Sequence, residues 1–222
     1  MQNQLWEAAK ERRLIVAHRG VSGGNIPCNT LAAYEIALRQ GVDMIEIDVE
    51  MSADGKLFIF HPGMEPVHLW CNRRLPQMTA EEISHLRYVN YDRTPTQFGV
   101  ATLDEVLEEF GNRCFINVDK FWGHPKEIYE AIRRHGMVDR VVVKSALSEN
   151  VLSVLEEVAS DVPFMPIVWN THPSHRDLMH RNIHYVGVEV LFREESAEVA
   201  SESFFEEMHR DGKLVWVNSI IY

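Results

Sequence analysis

Short runs of apolar, often β-branched residues alternate with amphipathic stretches along most of the chain. This alternation predicts an α/β fold with a parallel sheet. The predicted strands span residues 14–17, 44–49, 57–61, 114–118, 140–144, 163–168, 184–190 and 214–218. The predicted helices span residues 29–40, 102–110, 125–135, 149–159, 175–181 and 198–211, and a capping-box pattern at 79–82 opens a further helix.

The connection between the second and third predicted strands is too short for a parallel crossover, which needs a dozen or more residues. It contains Asp54-Gly55, a hairpin-turn signal. We therefore expect the third strand to run back antiparallel to the second and to place His61 beside Glu46. Residues 62–100, which follow, lack a strong periodicity and are predicted to form a small inserted subdomain or lid within one domain spanning 1–222.

The length and net charge of the chain limit the functions that it can have. A chain of 222 residues that is 45% hydrophobic can form one large domain with a full core. The net charge of −11 argues against nucleic acid as a partner, because affinity for nucleic acid comes mostly from basic patches. A homodimer is compatible with the sequence, but no residue pattern indicates one.

The cysteine content and the hydropathy of the chain predict the cellular compartment of the protein. The three cysteines are an odd number without CxxC spacing, which favours free thiols in a reducing environment. Residues 1–13 contain no apolar run of signal-peptide length, and no segment approaches the roughly 20 apolar residues of a membrane span. We expect a cytoplasmic protein without stable membrane association.

Ionisable side chains fall at the ends of three early apolar runs: His18 and Arg19, then Glu46 and Asp48, then His61. Residues two apart on a strand face the same side, and a buried pair of carboxylates needs a cation between them. Histidines move protons near neutral pH, and an arginine can hold an anion. This combination predicts metal-assisted chemistry on a phosphate ester.

These motifs resemble those of the glycerophosphodiester phosphodiesterase family, a group of TIM-barrel enzymes. The matching segments are His18-Arg19-Gly20, Pro27-Cys28-Asn29-Thr30, residues 42–49, Ser52-Ala53-Asp54-Gly55, Phe60-His61 and residues 214–218. Each piece is weak alone, but their order and spacing together are specific. The resemblance implies a TIM (β/α)8 barrel that hydrolyses a small-molecule glycerophosphodiester to glycerol 3-phosphate and an alcohol.

The resemblance also implies a metal site. Glu46, Asp48 and Asp119 would be its ligands, and an oxygen-only set suits Mg2+ or Ca2+. A divalent ion would locally reverse the field of this acidic protein toward an anionic substrate. His18 and His61 would act as general base and acid on either water or the glycerol 2-hydroxyl as the attacking group.

Further residues near strand ends are candidates for substrate binding. The resemblance assigns phosphate binding to Arg19. Lys144 ends one predicted strand, and Glu189 lies on another that would line the barrel interior. Trp216, with Trp122 and Trp169, lies near a strand end and could wall the pocket for the alcohol.

The chain departs from the family pattern at several positions. Cys28 replaces a glutamate, and Pro62 replaces the aspartate that usually follows the second histidine. Lys120 follows Asp119 directly, whereas the family usually has its lysine one residue later. Strand alternation then sends the two side chains to opposite faces, which argues against a catalytic or phosphate-binding role for Lys120 unless the strand end twists it back. No counterpart of the family's last helix and strand follows residues 214–218, which predicts a barrel without its final strand and with an open seam.

Two other functions stay open at this point. One is a related phospholipase acting on a lipid headgroup, for which Leu69, Trp70 and Leu75 in the insertion offer thin support because Arg73 and Arg74 interrupt them. The other is a catalytically weak binding or regulatory domain on the same fold, suggested by the altered site residues. Metal affinity discriminates between this last function and an active enzyme.

Overall fold

A computed structural model describes residues 4–218. Its strands are β1 (Val16–His18), β2 (Met44–Met51), β3 (Leu57–Ile59), β4 (Phe115–Asp119), β5 (Val141–Ala146), β6 (Phe164–Trp169), β7 (Gly187–Leu191) and β8 (Leu214–Val217). Its α-helices are α1 (Gln4–Glu11), α2 (Leu31–Arg39), α3 (Glu65–His68), α4 (Ala80–Ser84), α5 (Leu103–Phe110), α6 (Pro125–Arg134), α7 (Glu149–Val158), α8 (His175–His180) and α9 (Glu202–Arg210). None of these helices has the length and apolar character needed to cross a bilayer.

The strands form one sheet in the order β1-β2-β4-β5-β6-β7-β8, with every neighbouring pair parallel. The remaining strand, β3, pairs antiparallel with β2. All eight predicted strands are therefore present, and the predicted α/β barrel architecture is confirmed with seven parallel strands. Within residues 4–218 no further strand joins β8 to β1, so these two strands are the edges of the curled sheet.

The predicted hairpin is confirmed, but its register is shifted by one residue. The ladder pairs Val49 with Ile59 and Met51 with Leu57, and this spacing carries His61 opposite Ile47 rather than beside Glu46. The reason is the turn, which pairs residues 52 and 56 through a hydrogen bond from the amide of residue 52. The prediction that His61 lies directly beside Glu46 is therefore wrong by one position.

Helix starts follow the capping signals. The Thr30 hydroxyl accepts a hydrogen bond from the Ala33 amide, and Thr79 and Thr102 each form a capping box. The helix predicted at 198–211 is shorter, because residues 198–200 form a separate 3-10 turn and Ser201 caps α9. Helices α1 and α3 had not been predicted.

Buried apolar side chains of the described residues form three clusters, and one of them shares the inner face of the sheet with polar residues of the candidate site. The largest cluster fills the layer between sheet and helices and includes Ile47, Val118, Val143, Leu155 and Val188. A second fills the amino-terminal end of the barrel interior and includes Leu5, Met44, Val142, Met165 and Val186. A third joins β3 to residues 62–100 and includes Phe58, Phe60, Leu75, Ile83 and Tyr88. Because side chains alternate along a strand, Glu46 and Lys144 share the inner face of the sheet with Met44 and Val142.

A cavity of about 720 Å³ runs between the two edge strands. Its apolar walls come from residues of α1, β1 and β8, and His18, Lys144 and Asn218 lie among its lining side chains. Both edge strands thus line one cavity, as a sheet curled into a barrel requires. Within residues 4–218, β1 and β8 face each other across this cavity without pairing, and we call this gap the seam.

Close packing of β7 against β8 makes Gly187 sensitive to substitution. A Cβ atom at this position would clash with the Leu214 carbonyl oxygen and lie 2.8 Å from the Leu214 Cβ. We expect Gly187→Ala to lower the free energy of unfolding by about 1–3 kcal/mol, as overpacking does in other cores. Urea unfolding would measure this, with Gly123→Ala as the control because nothing lies within 4 Å of its added Cβ. Equal losses in the two variants would contradict the packing argument.

Candidate active site

Two strands ending on the same edge of β2 bring the two predicted catalytic histidines together. The Arg19 amide, just after β1, donates to the Glu46 carbonyl at 3.1 Å, and the Phe60 amide, just after β3, donates to the Asp48 carbonyl at 3.0 Å. These two carbonyls point to the same side of β2, since alternate residues of a strand share an edge. β1 runs toward this point from one direction and β3 from the other, so His18 and His61 meet there.

Three carboxylates lie beside the histidines. Glu46 and Asp48 are alternate residues of β2 on its inner face, and Asp119 is the parallel-register partner of Asp48 on β4. One oxygen of each carboxylate lies within 4.8 Å of the others. Glu46 is 1% and Asp48 0% exposed. The predicted ligand set is thus brought together around one point at the carboxyl ends of the strands.

Two oxygens of this group lack hydrogen bonds. The Glu46 Oε2 accepts from the Arg19 amide at 2.9 Å, and the Asp48 Oδ2 is 2.9 Å from both the Asn29 Nδ2 and the Arg19 Nε. The buried Glu46 Oε1 and Asp48 Oδ1 have no hydrogen-bond partner in the described part of the chain. Buried carboxylate oxygens without hydrogen bonds, in a cluster of three carboxylates, are the kind of donor that a hard divalent cation such as Mg2+ or Ca2+ requires. The residues therefore fit such an ion.

The same crowding perturbs the acidity of Glu46. Burial, together with the nearby negative charge of Asp48, raises its pKa from 4.5 to about 8. Burial also acts on Asp119, but the ammonium groups of Lys120 and Lys144 outweigh it and lower its pKa. The protein thus holds one carboxyl that resists ionisation beside one that ionises readily.

Substitution of Glu46 should change the pH dependence of stability in metal-free protein. A carboxyl whose pKa is higher in the folded state stabilises that state below the unfolded pKa near 4.5, and this contribution is lost as pH rises toward 8. Glutamine stays neutral, so Glu46→Gln should gain on the order of a few kcal/mol over the parent between pH 5 and 8. Thermal unfolding in EDTA would measure the difference. Parallel profiles for the two proteins would contradict the raised pKa.

Asn29 holds the Asp48 carboxylate in place. It is 2% exposed, and its Nδ2 donates to Asp48 while its Oδ1 accepts from the Tyr34 hydroxyl at 2.9 Å. Its backbone is left-handed, with φ of 56°. The motif that contains Asn29 was recognised in the sequence, but nothing in it indicated a contact with Asp48.

Left-handed backbone is concentrated at this site. Residues other than glycine seldom adopt a positive φ, and such strain is typical of functional sites. Of the six non-glycine residues with positive φ in the described chain, Arg19, Asn29 and Lys120 contact the carboxylate group. Backbone strain at these three residues is therefore associated with the position of their side chains beside the carboxylates.

Lys120 corrects the prediction from strand alternation. Its φ of 63° ends the strand geometry, and the ammonium Nζ lies 2.8 Å from the Asp119 Oδ2 and 3.6 Å from the Asp48 Oδ1. Alternation alone sends Lys120 to the face opposite Asp119, and this is wrong because the left-handed turn reverses the direction of the side chain.

The two histidines are poised to accept protons. Burial and the neighbouring Arg19 lower the pKa of His18 to about 4. Burial also lowers the pKa of His61, although the charge of Asp48 opposes this effect. The His61 Nδ1 lies 3.0 Å from the Pro62 carbonyl oxygen, which can only accept, so Nδ1 carries the hydrogen and Nε2 is left for proton transfer.

A buried ion pair lies deeper in the barrel. The Lys144 Nζ is 2.7 Å from the Glu189 Oε2, and the side chains are 4% and 3% exposed. The Asn218 Nδ2 donates to the other Glu189 oxygen at 2.9 Å, and the Lys144 ammonium lies 4.1 Å from the centre of the Trp216 ring. Three residues predicted to bind substrate thus form one group around a buried ion pair.

Residues 62–100 contribute to the edge of the site. The Cys28 Sγ lies 4.0 Å from the Nδ1 of His68, and burial raises the pKa of the Cys28 thiol. A neutral thiol near the site neither replaces the charge of a glutamate nor acts as a ready nucleophile. The predicted pocket walls Trp122 and Trp169 are 43% and 58% exposed, so they lie toward the open mouth.

Comparison with known proteins agrees with these observations. The sequence pattern of the Glycerophosphoryl diester phosphodiesterase family matches residues 18–217. Proteins named glycerophosphodiester phosphodiesterase from Caldanaerobacter subterraneus subsp. tengcongensis and Bacillus altitudinis are 31% and 33% identical to the chain over 144 and 143 residues. These alignments cover 60% and 59% of the chain, and they span 58% and 57% of the two relatives.

Solved structures give the same family. A glycerophosphodiester phosphodiesterase from Agrobacterium tumefaciens superposes with a TM-score of 0.70 at 27% identity, covering 92% of this chain and 85% of the other. A phosphodiesterase from Oleispira antarctica, solved with the product sn-glycerol-3-phosphate, has a TM-score of 0.75 at 22% identity and covers 97% and 87%. Since the family pattern spans almost all of the described residues, the chain belongs to the glycerophosphoryl diester phosphodiesterase family.

Proposed function

We propose that this protein hydrolyses glycerophosphodiesters to glycerol 3-phosphate and an alcohol with the help of a divalent metal. The observation that carries the proposal is the convergence of His18 and His61 on one edge of β2, beside three carboxylates. Two of these carboxylates, Glu46 and Asp48, each have a buried oxygen without a hydrogen bond in the described part of the chain. Membership of the family supports the reaction class, and the product complex of the Oleispira antarctica protein supports the glycerol 3-phosphate half of the substrate.

Glu46, Asp48 and Asp119 would hold the metal. When bound, a divalent ion neutralises phosphate charge and polarises the P–O bonds. Mg2+ and Ca2+ both suit the oxygen-only donor set. Asn29 and Arg19 fix the orientation of Asp48, so the carboxylate group is preorganised before a ligand arrives.

His18 and His61 would carry the protons. A neutral imidazole accepts the proton of the attacking water, and an imidazolium returns one to the leaving alkoxide as the P–O bond to the alcohol breaks. The lowered pKa of both rings favours the accepting form in the free protein. A bound phosphate brings negative charge near the rings, which favours the protonated form needed for the second step.

Other residues would bind and enclose the substrate. The Arg19 guanidinium contacts Asp48 through Nε, which leaves its terminal nitrogens for phosphate oxygens. The Lys144, Glu189 and Trp216 group would line the inner side of the pocket. We further propose that residues 62–100 act as a small subdomain that shapes the alcohol pocket, because His68 reaches the edge of the site.

Location and assembly stay predictions. All three cysteines are free, which is consistent with the predicted cytoplasmic location. A homodimer, with which the sequence is compatible, and the predicted lack of stable membrane association need separate measurements.

An assay for glycerol 3-phosphate release from a panel of glycerophosphodiesters tests the proposed function. Parallel reactions would contain EDTA, Mg2+, Ca2+ or Mn2+, and the panel would include a lysophospholipid to test the lipid alternative. We expect metal-dependent release from at least one water-soluble diester. A folded protein that binds metal but releases product from none of the substrates would refute the hydrolase and favour a binding domain.

A further inference from the structure

The ammonium group of Lys120 contacts two of the three candidate metal ligands, Asp48 and Asp119. It is 2.8 Å from the Asp119 Oδ2 and 3.6 Å from the Asp48 Oδ1. The Asp48 Oδ1 has no hydrogen-bond partner in the described part of the chain, and the Lys120 ammonium lies within ion-pair distance of it. The oxygens that would bind a metal are therefore partly neutralised by a side chain of the protein itself.

This placement is specified by the fold around Lys120. The residue adopts φ of 63°, and its amide donates to the Asp119 Oδ1 at 2.8 Å, so backbone and side chain hold the same carboxylate. The ammonium lies 5.1 Å from the centre of the Trp122 ring, and the side chain is 20% exposed. A lysine at the end of a strand would ordinarily extend into water.

Lys120 and a divalent ion would compete for these carboxylate oxygens. Both are cations that use the same lone pairs, and two positive charges at contact distance in a partly buried site repel each other. The lysine is the one that can move, since its charge sits on a flexible four-carbon stem. Once displaced toward the open mouth, the ammonium stays beside the point where the carboxylates and histidines converge.

We propose that Lys120 is a displaceable counter-ion that couples metal binding to phosphate binding. In the metal-free protein it neutralises Asp48 and Asp119, and a metal ion displaces it to a position where it binds phosphate oxygens. This inference rests on the proposed function for the identity of the anion. Because linkage is reciprocal, metal and phosphate then strengthen each other's binding through Lys120.

Isothermal titration calorimetry of the full chain tests this coupling without turnover. Mg2+ and Ca2+ would be titrated into the parent protein, Lys120→Met and the exposed-lysine control Lys126→Met. Methionine keeps the unbranched stem and removes the charge. We expect Lys120→Met to bind metal at least about fivefold more tightly than the parent, at the lower end of typical coupling. The control should match the parent.

A second titration uses sn-glycerol 3-phosphate with and without saturating Ca2+. In the parent, the metal should tighten phosphate binding, and in Lys120→Met this enhancement should shrink at least about fivefold. Lys120→Gly, which relieves the left-handed backbone, should behave like Lys120→Met, and circular dichroism would establish that both variants fold.

Several results would overturn the inference. Unchanged or weaker metal binding in both Lys120 variants would mean that the lysine only supports the carboxylates. Independent binding of metal and glycerol 3-phosphate to the parent would also reject the coupling. A parent protein that binds no metal would reject both this inference and the metal-dependent function. Coupled binding without any hydrolysis would remove the proposed hydrolase and leave the role of Lys120 standing.

Discussion

Replacing His18 with alanine is expected to lower kcat for glycerophosphodiester hydrolysis by about 10²–10⁴-fold, the usual contribution of a positioned proton-transfer group. Methyl replaces imidazole at the point where β1 and β3 end, so the attacking water or the leaving alkoxide loses its proton partner. His61→Ala should cause a loss of similar size. The double variant should lose much less than the product of the two factors, because groups that act as one unit are not additive.

The matched control is His180→Ala, an exposed histidine in the last turn of α8. Its kcat should stay within about twofold of the parent, since surface substitutions seldom matter beyond small effects on stability. The measurement is steady-state release of glycerol 3-phosphate at saturating metal. Should His18→Ala and His61→Ala both retain more than a tenth of the parent kcat, proton transfer by these rings would be ruled out as a main source of catalysis.

The second large effect concerns the metal ligands. Chelation by EDTA should abolish activity, and Asp48→Asn should lower kcat/KM by about 10³-fold, because a bound ion is worth several kcal/mol of transition-state stabilisation. Asparagine keeps the shape of the side chain but removes its charge. Asn29→Ala, which removes a hydrogen bond to Asp48 but leaves the three carboxylates in place, should weaken metal affinity by about 10–100-fold, the range found for residues that orient metal ligands.

Readdition of metal separates loss of binding from loss of structure. Activity of the EDTA-treated parent should return with Mg2+ or Ca2+, whereas Asp48→Asn should need a much higher metal concentration. Titration calorimetry gives the metal affinities directly, and thermal unfolding shows whether each variant is folded. Full activity in EDTA after extensive dialysis would contradict a metal-dependent mechanism.

Most of the site could be predicted because its determinants are local in the sequence. Glu46 and Asp48 share a face by strand alternation, and His18 and His61 end strands that meet on one edge of β2. The short connection with its Asp54-Gly55 turn fixed the antiparallel direction of β3 without knowledge of any distant contact. These features depend on spacing, and spacing is visible in a sequence.

What could not be predicted depends on single backbone angles and on distant packing. The left-handed turn at Lys120 reverses its side chain, and no local signal distinguishes this from a continued strand. The Asn29 contact with Asp48 joins residues 19 positions apart. The register of the hairpin moved by one residue because the turn closes between residues 52 and 56. Alternation gives the face of a side chain but not the geometry where a strand stops.

Within residues 4–218, the strands of the curled sheet are not held equally, because β1 and β8 each pair with a neighbouring strand on one side only. A closed barrel resists distortion because every strand is held on both sides, whereas a strand held on one side can swing outward at the expense of few contacts. The β8 amides alternate, and those of Val215 and Val217 point away from β7. Trp216 lies on β8 and contacts Lys144. Within the described residues, the strand that contacts the buried ion pair is therefore held by strand pairing on one side, so the alignment of this pair depends on the β7–β8 ladder.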